Sequence, residues 1–169
     1  MKKIFITITL TYLLLLTACA TGTQAAENGQ DYSSCKISIN CETVFDNFEK
    51  LSKGKDEIIP EDGFLLPVTE VPLLDGETAF DVLLRVTKEM GIHMEHTKTP
   101  VYKNSYIEGI NNLYEFDCGE LSGWMYKVNG VYPNYGSSSY AMDDGDDLVW
   151  VFTCDLGRDI GADWKSQNQ

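Results

Sequence analysis

The sequence predicts an α+β domain in which one main helix packs on a mixed sheet beside a long aromatic hairpin. Three observations lead there. ETAFDVLLRVTKEMGI, residues 77–92, is the one segment with clear helical periodicity. Asn129-Gly130 separates the β-like runs GWMYKV and VYPNYG, and both positions of a two-residue hairpin turn need the positive φ that Asn and Gly tolerate. LVWVF, residues 148–152, is continuously apolar, as a central strand buried on both faces is.

Taken in order, CKISINC alternates. Cys35, Ile37, Ile39 and Cys41 share one face and Lys36, Ser38 and Asn40 the other, which predicts a half-buried strand with a wet side. Residues 42–63 are mixed and punctuated by Pro60 and Asp62-Gly63, a connection with a short helical piece. FLLPVTEVPLL is extended, and Pro67 and Pro72 confine it to an edge because they cannot donate to a ladder. In the helix, Thr78 and Asp81 make a capping-box pattern and Gly91 stands just past the end. Ala79, Phe80, Leu83, Val86 and Met90 form its apolar stripe. SYIEGI, NLYEFD, GWMYKV, VYPNYG and DLVWVFTC supply the sheet, with the first and last strands expected side by side in its middle. DDGDD at 143–147 reads as a polar turn, since its carboxylates lack the alternate spacing of a calcium loop.

The chain opens with Lys2 and Lys3, then the apolar run IFITITLTYLLLLTA, too short for the roughly 20 residues of a spanning helix. It ends in Leu16-Thr17-Ala18-Cys19, which resembles a bacterial lipobox. The expectation is a lipoprotein signal peptide over 1–18, lipidation of Cys19, and a flexible tether through 34. That tether is small, polar and unable to offset the entropy of ordering. The folded domain spans 35–161 and a C-terminal tail 162–169. The protein is then held at the extracytoplasmic face of the cell membrane by lipid alone.

Removing Lys2 and Lys3 with the leader takes the formal charge from −13 to −15. Such acidity excludes nucleic acid and anionic lipid as partners, because both need cationic patches.

Beyond Cys19, the remaining Cys35, Cys41, Cys118 and Cys154 are an even set, so two disulfides are expected in an oxidising compartment. On one strand Cys35 and Cys41 lie about 20 Å apart at ~3.3 Å per residue, too far to pair with each other. If the first and last strands are parallel neighbours, Cys41 and Cys154 come within reach, leaving Cys35 for Cys118.

No metal site or catalytic constellation is expected. His93 and His96 are the only two histidines, and HMEH is not the helical HExxH pattern, so it reads as an exposed helix end. Ser137, Ser138 and Ser139 lack a nucleophile elbow and an obvious base. The reading is a protein that is not an enzyme.

The informative stretch is SGWMYKVNGVYPNYG. A core under a helix can absorb Trp124 and Tyr126. Tyr132, Asn134, Tyr135, Ser137 and Tyr140 stand in or beside a polar loop, a mixture suited to recognition. These seven residues are the candidate ligand contacts.

YEFDCGELSGWMYKVNGVYPNYGSSSY and DDGDDLVWVFTCDLGRDIG, with CKISINC and the ETAFDVLLRV helix, resemble bacterial modules of the DUF4430 type. These are similar to the C-terminal domain of transcobalamin and intrinsic factor. The resemblance implies a β-grasp-like fold and a binding role. In the vitamin carriers the hairpin and its loop face the corrin, which implies Trp124, Tyr126 and the segment from Tyr132 to Tyr140 here. It departs from the carriers in lacking their helical partner domain.

The function expected is a surface lipoprotein that binds a small ligand, with cobalamin or another corrinoid in view, for delivery to a membrane transporter. No cofactor is expected beyond cobalamin as bound ligand. The alternative is an adhesion module that docks on protein or glycan.

Overall fold

The computed structural model describes residues 32–98 and 104–162. The expected signal peptide, Cys19, the tether up to Asp31 and the tail beyond Ala162 lie outside the described residues.

The strands are β1 (Ser34–Asn40), β2 (Phe64–Pro72), β3 (Met94–Lys98), β4 (Ser105–Ile110), β5 (Leu113–Tyr114), β6 (Gly123–Val128) and β7 (Asp147–Thr153). They form two sheets, β2-β1-β7-β6 and β3-β4-β5, where the sequence predicted one. The first and last strands do lie parallel at the centre of the larger sheet, with Ile37 beside Leu148 and Ile39 beside Trp150. β2, with its two prolines, and β6 flank them antiparallel as edges. The wet side predicted for β1 survives only at Lys36: Ser38 and Asn40 are buried, because a central strand is sheltered on both faces.

The one α-helix among the described residues, α1 (Ala79–Met90), carries both predicted caps. The Thr78 hydroxyl accepts from the Asp81 N–H, and the Asp81 carboxylate accepts from the Thr78 N–H at 3.0 Å. Gly91 adopts φ 70° and closes the C-terminus. The apolar face is as expected at Ala79, Phe80, Leu83 and Val86 and differs only in its remaining members. Met90 is 51% exposed, whereas Val82 and Thr87 are buried. Thr87 tolerates that position because its hydroxyl donates to the Leu83 carbonyl at 2.7 Å. Thr78→Ala should cost about 1 kcal/mol in urea unfolding, the usual value of an N-cap.

Arg85 anchors α1 to the end of β2. Its guanidinium donates to both Glu77 oxygens at 2.7 and 2.9 Å and to the Pro72 carbonyl at 2.7 Å. Burial pushes the Glu77 carboxyl up, but the hydrogen bonds from Arg85 and the Leu74 N–H outweigh it and leave Glu77 below its ordinary value. The stability it contributes is therefore present above the unfolded carboxylate range and is lost as pH falls through the native one.

Three stretches depart from the predicted elements. HMEH begins β3 rather than ending a helix. NLYEFD pairs over only Leu113–Tyr114. VYPNYG forms no strand: after the bridge between Val128 and Val131, Pro133 removes a donor and the chain turns away. The Asn129-Gly130 turn is as expected, with φ 50° and 80°. The long aromatic hairpin is thus a short turn followed by a loop. DDGDD is a turn tied to it, with Asn129 donating to the Asp146 carboxylate at 2.7 Å and accepting from the Asp147 N–H.

Cys35, Cys41, Cys118 and Cys154 are free, buried thiols here rather than two disulfides. Cys35 opposes Val71 at the far end of β1, whereas Cys118 reaches the Asn47 carbonyl at 3.4 Å. The topology does not bring Cys35 to Cys118.

Candidate functional site

The residues singled out from the sequence separate into three places. Trp124 and Tyr126 point from β6 into the main core. The Trp124 indole donates to the Leu113 carbonyl at 2.9 Å and meets Phe152 edge-on, with centroids 5.2 Å apart. The Tyr126 hydroxyl donates to the Tyr135 carbonyl at 2.8 Å. Tyr132 turns to the opposite face, where it packs with Val151 and Ala162, is 6% exposed, and donates to the Ile160 carbonyl. It belongs to packing rather than to a recognition surface.

The remaining loop residues do gather. Tyr135 and Tyr140 stack with centroids 5.8 Å apart and planes 14° from parallel, and the Tyr126 ring meets Tyr140 edge-on. Ser137 is buried at the start of a short 3₁₀ turn, Ser137–Ser139. The Ser105 N–H donates to the Ser138 hydroxyl at 3.0 Å, which holds this turn against β4. Asn134 and Tyr135 are exposed, Tyr135 at 50%. Tyr132→Ala should therefore cost about 2–4 kcal/mol as a large-to-small change in a buried cluster. Tyr135→Ala should stay within about 0.5 kcal/mol. Paired thermal melts of the two variants check both values.

A concavity lies at the other end of β6. It is a cleft of about 630 Å³ lined chiefly by Tyr106, Phe116, Leu121, Trp124, Met125 and Leu156, with Glu120 and Arg158 also contributing. Two loops build it, 115–122 and 154–161. Phe116 and Leu156 hold left-handed backbone, φ 68° and 49°, and are 61% and 57% exposed. Bulky side chains adopt that region at a cost of about 1–2 kcal/mol per residue. Neither ring nor branch regains that cost by burial.

Hydrogen bonds impose the conformation. The Phe116 N–H donates to the Ser122 carbonyl at 3.1 Å, and the Ser122 hydroxyl accepts from the Cys118 N–H. The Leu156 N–H crosses to the Leu121 carbonyl at 2.9 Å and joins the loops. Asp159 accepts from the Thr153 hydroxyl and from the Cys154 N–H. Gly157, at φ 84°, lets its loop approach β6: an added Cβ would stand 2.9 Å from the Met125 sulfur. Tyr106 donates to Glu115; burial first, and that bond second, push its phenol above the ordinary range, so it stays protonated.

Only Trp124 of the cleft was singled out from the sequence. The missed signal was bulky apolar residues inside turn chemistry, Phe116 in FDCG and Leu156 in DLGRD. His93 and His96 do not converge. His93, just before β3, lies beside Glu95 at 3.3 Å, whereas His96 on β3 meets Phe80 edge-on. Among the described residues no cluster of three or more His, Cys, Asp or Glu could hold a metal, and no helix is long and apolar enough to cross a membrane.

Fold and cleft together define a mixed α+β domain with a preformed, largely apolar concavity. Residues 76–153 match the model of DUF4430, a domain of unknown function. In solved structures it is similar to haptocorrin in complex with Cbi, at 20% identity and a TM-score of 0.51. That likeness, which concerns the fold, covers 76% of this chain and 27% of the haptocorrin chain. The chain thus spans about a quarter of haptocorrin's length. It is also similar to a protein from Ruminococcus gnavus provisionally named metal binding, at 15% identity and a TM-score of 0.44, over 72% of this chain and 96% of that one. No curated protein matches the chain.

Proposed function

We propose that this chain is a lipid-anchored lipoprotein of the extracytoplasmic face that binds a small ligand, a corrinoid foremost, and passes it to a membrane transporter. The observation that carries the binding role is the cleft beside β6. Small-molecule sites are typically concave, mostly apolar and preformed, with a few polar groups to orient the ligand. This one adds the Tyr106 hydroxyl and an exposed Arg158 to an aromatic and aliphatic wall. Strained backbone at Phe116 and Leu156 displays apolar groups to solvent, a pattern that clusters at ligand sites.

The fold likeness to a protein solved with Cbi supports a corrinoid as the first ligand to try. A β-grasp-like reading accords with the central parallel pair β1 and β7. A corrinoid is larger than the cleft and would be held by one face. The acidic chain then contributes apolar and hydrogen-bonding contact rather than charge attraction.

Isothermal titration of residues 20–169 with cyanocobalamin and cobinamide tests the binding. A saturable heat in the micromolar range or tighter is expected, and no heat from a folded sample removes the corrinoid. Radiolabelled palmitate should enter the full chain and be lost in Cys19→Ala.

A second reading rests on a separate observation, the stack of exposed Tyr135 on half-buried Tyr140. A flat aromatic strip suits a protein or glycan surface better than a small molecule. Loss of cell-surface adhesion in Tyr135→Ala, with corrinoid binding absent, would favour it.

A further inference from the structure

Each wall of the cleft carries one buried thiol, Cys118 in the first loop and Cys154 at the start of the second. Both thiols rest on the 3₁₀ segment Glu42–Lys50, which is kinked at Asn47. Cys118 Sγ donates to the Asn47 carbonyl at 3.4 Å and Cys154 Sγ to the Thr43 hydroxyl at 3.7 Å. Thr43 and Asn47 are themselves joined, Asn47 Nδ2 donating to the Thr43 carbonyl at 2.9 Å. Each thiol also influences the other's titration, in accord with the neighbours they share.

The other cysteines point elsewhere. Cys41 Sγ donates to the Gly63 carbonyl at 3.4 Å, towards the chain entering β2. Cys35 lies at the opposite end of β1, near Arg85.

We propose that Cys118 and Cys154 close into a disulfide that ties the two walls of the cleft together, while Cys35 and Cys41 remain separate thiols. The oxidising compartment rests on the export reading above; the pairing rests on the geometry alone.

The chemistry is thiol–disulfide exchange with a disulfide donor, either an oxidoreductase or glutathione disulfide. One cysteine thiolate attacks the donor disulfide, giving a mixed disulfide and expelling one donor thiolate. The second thiolate attacks the protein sulfur of that mixed disulfide, forming the Cys118–Cys154 bond and expelling the other. Two electrons and two protons pass to the donor, which leaves as two thiols. Burial pushes the Cys154 thiol up to about 12 and raises Cys118 as well, so thiolate is scarce once the loops have packed. Closure therefore belongs to folding, before burial.

The test uses the full chain, purified reduced in detergent and refolded in a mixture of glutathione and glutathione disulfide. Free thiols are then blocked with N-ethylmaleimide under denaturing conditions and the digest is mapped by mass spectrometry without reduction. A linked peptide joining Cys118 to Cys154, with Cys35 and Cys41 alkylated, is the expected result. Alkylated Cys118 and Cys154, or a peptide joining Cys154 to Cys41, overturns the pair. The same mapping on chain taken from cells judges compartment separately. A pair that forms on refolding but is absent from cells supports the pairing and counts against export. Hydrogen exchange at 115–122 and 154–161 should quicken at least fivefold on reduction; unchanged exchange overturns the tie between the walls.

Discussion

Trp150→Ala is expected to lower unfolding free energy by about 3–5 kcal/mol, read as a fall in denaturation midpoint at unchanged slope. Trp150 sits on β7 at the centre of the larger sheet, 2% exposed, paired with Ile39 on one side and Tyr126 on the other. Its ring lies 5.5 Å from that of Tyr126. Removing it opens a void that no neighbouring strand can close without leaving register. The indole N–H finds no partner among the described residues, so the substitution also relieves one unsatisfied donor. Trp150→Phe, which keeps most of the ring and removes that donor, should lose markedly less. Equal losses would show that the void is not the dominant cost.

Leu156→Gly should weaken cyanocobalamin binding at least tenfold while leaving the protein as stable or more stable. The branch is 57% exposed and lines the cleft, so ligand contact goes but little native burial does. At φ 49° glycine removes about 1–2 kcal/mol of steric cost. Its greater freedom in the unfolded chain returns roughly 0.5–1 kcal/mol. The balance runs from zero to about 1.5 kcal/mol in favour of the variant. Melting and titration on one sample separate the two effects. A drop in melting temperature would mean that Leu156 holds the loop rather than the ligand.

Where local chemistry decides, the sequence was legible. Thr78, Asp81 and Gly91 announce α1 because caps act within a turn of their own position. Asn129-Gly130 announces its turn because a positive φ is a property of those two residues. Pro67 and Pro72 place β2 at an edge because a missing N–H is local too. VYPNYG misled because its aromatic alternation imitates a strand, while Pro133 and the loop bonds to β4 end pairing after one bridge. HMEH misled in the other direction, since a helix end and a short strand look alike over five residues.

By itself, then, the sequence determined one capped helix, a central apolar strand, one tight turn and the resemblance to the DUF4430 type. Tertiary structure alone decided which rings are buried. Tyr132 and Tyr135 stand three residues apart in the same loop, yet one donates to Ile160 inside and the other faces solvent. It alone assembled the cleft from loops some forty residues apart, and brought Cys118 and Cys154 to the same segment, at Asn47 and Thr43. Backbone preference is written residue by residue. Burial and concavity arise only between segments, when the chain ordering that joins them has been offset by everything they exclude from water.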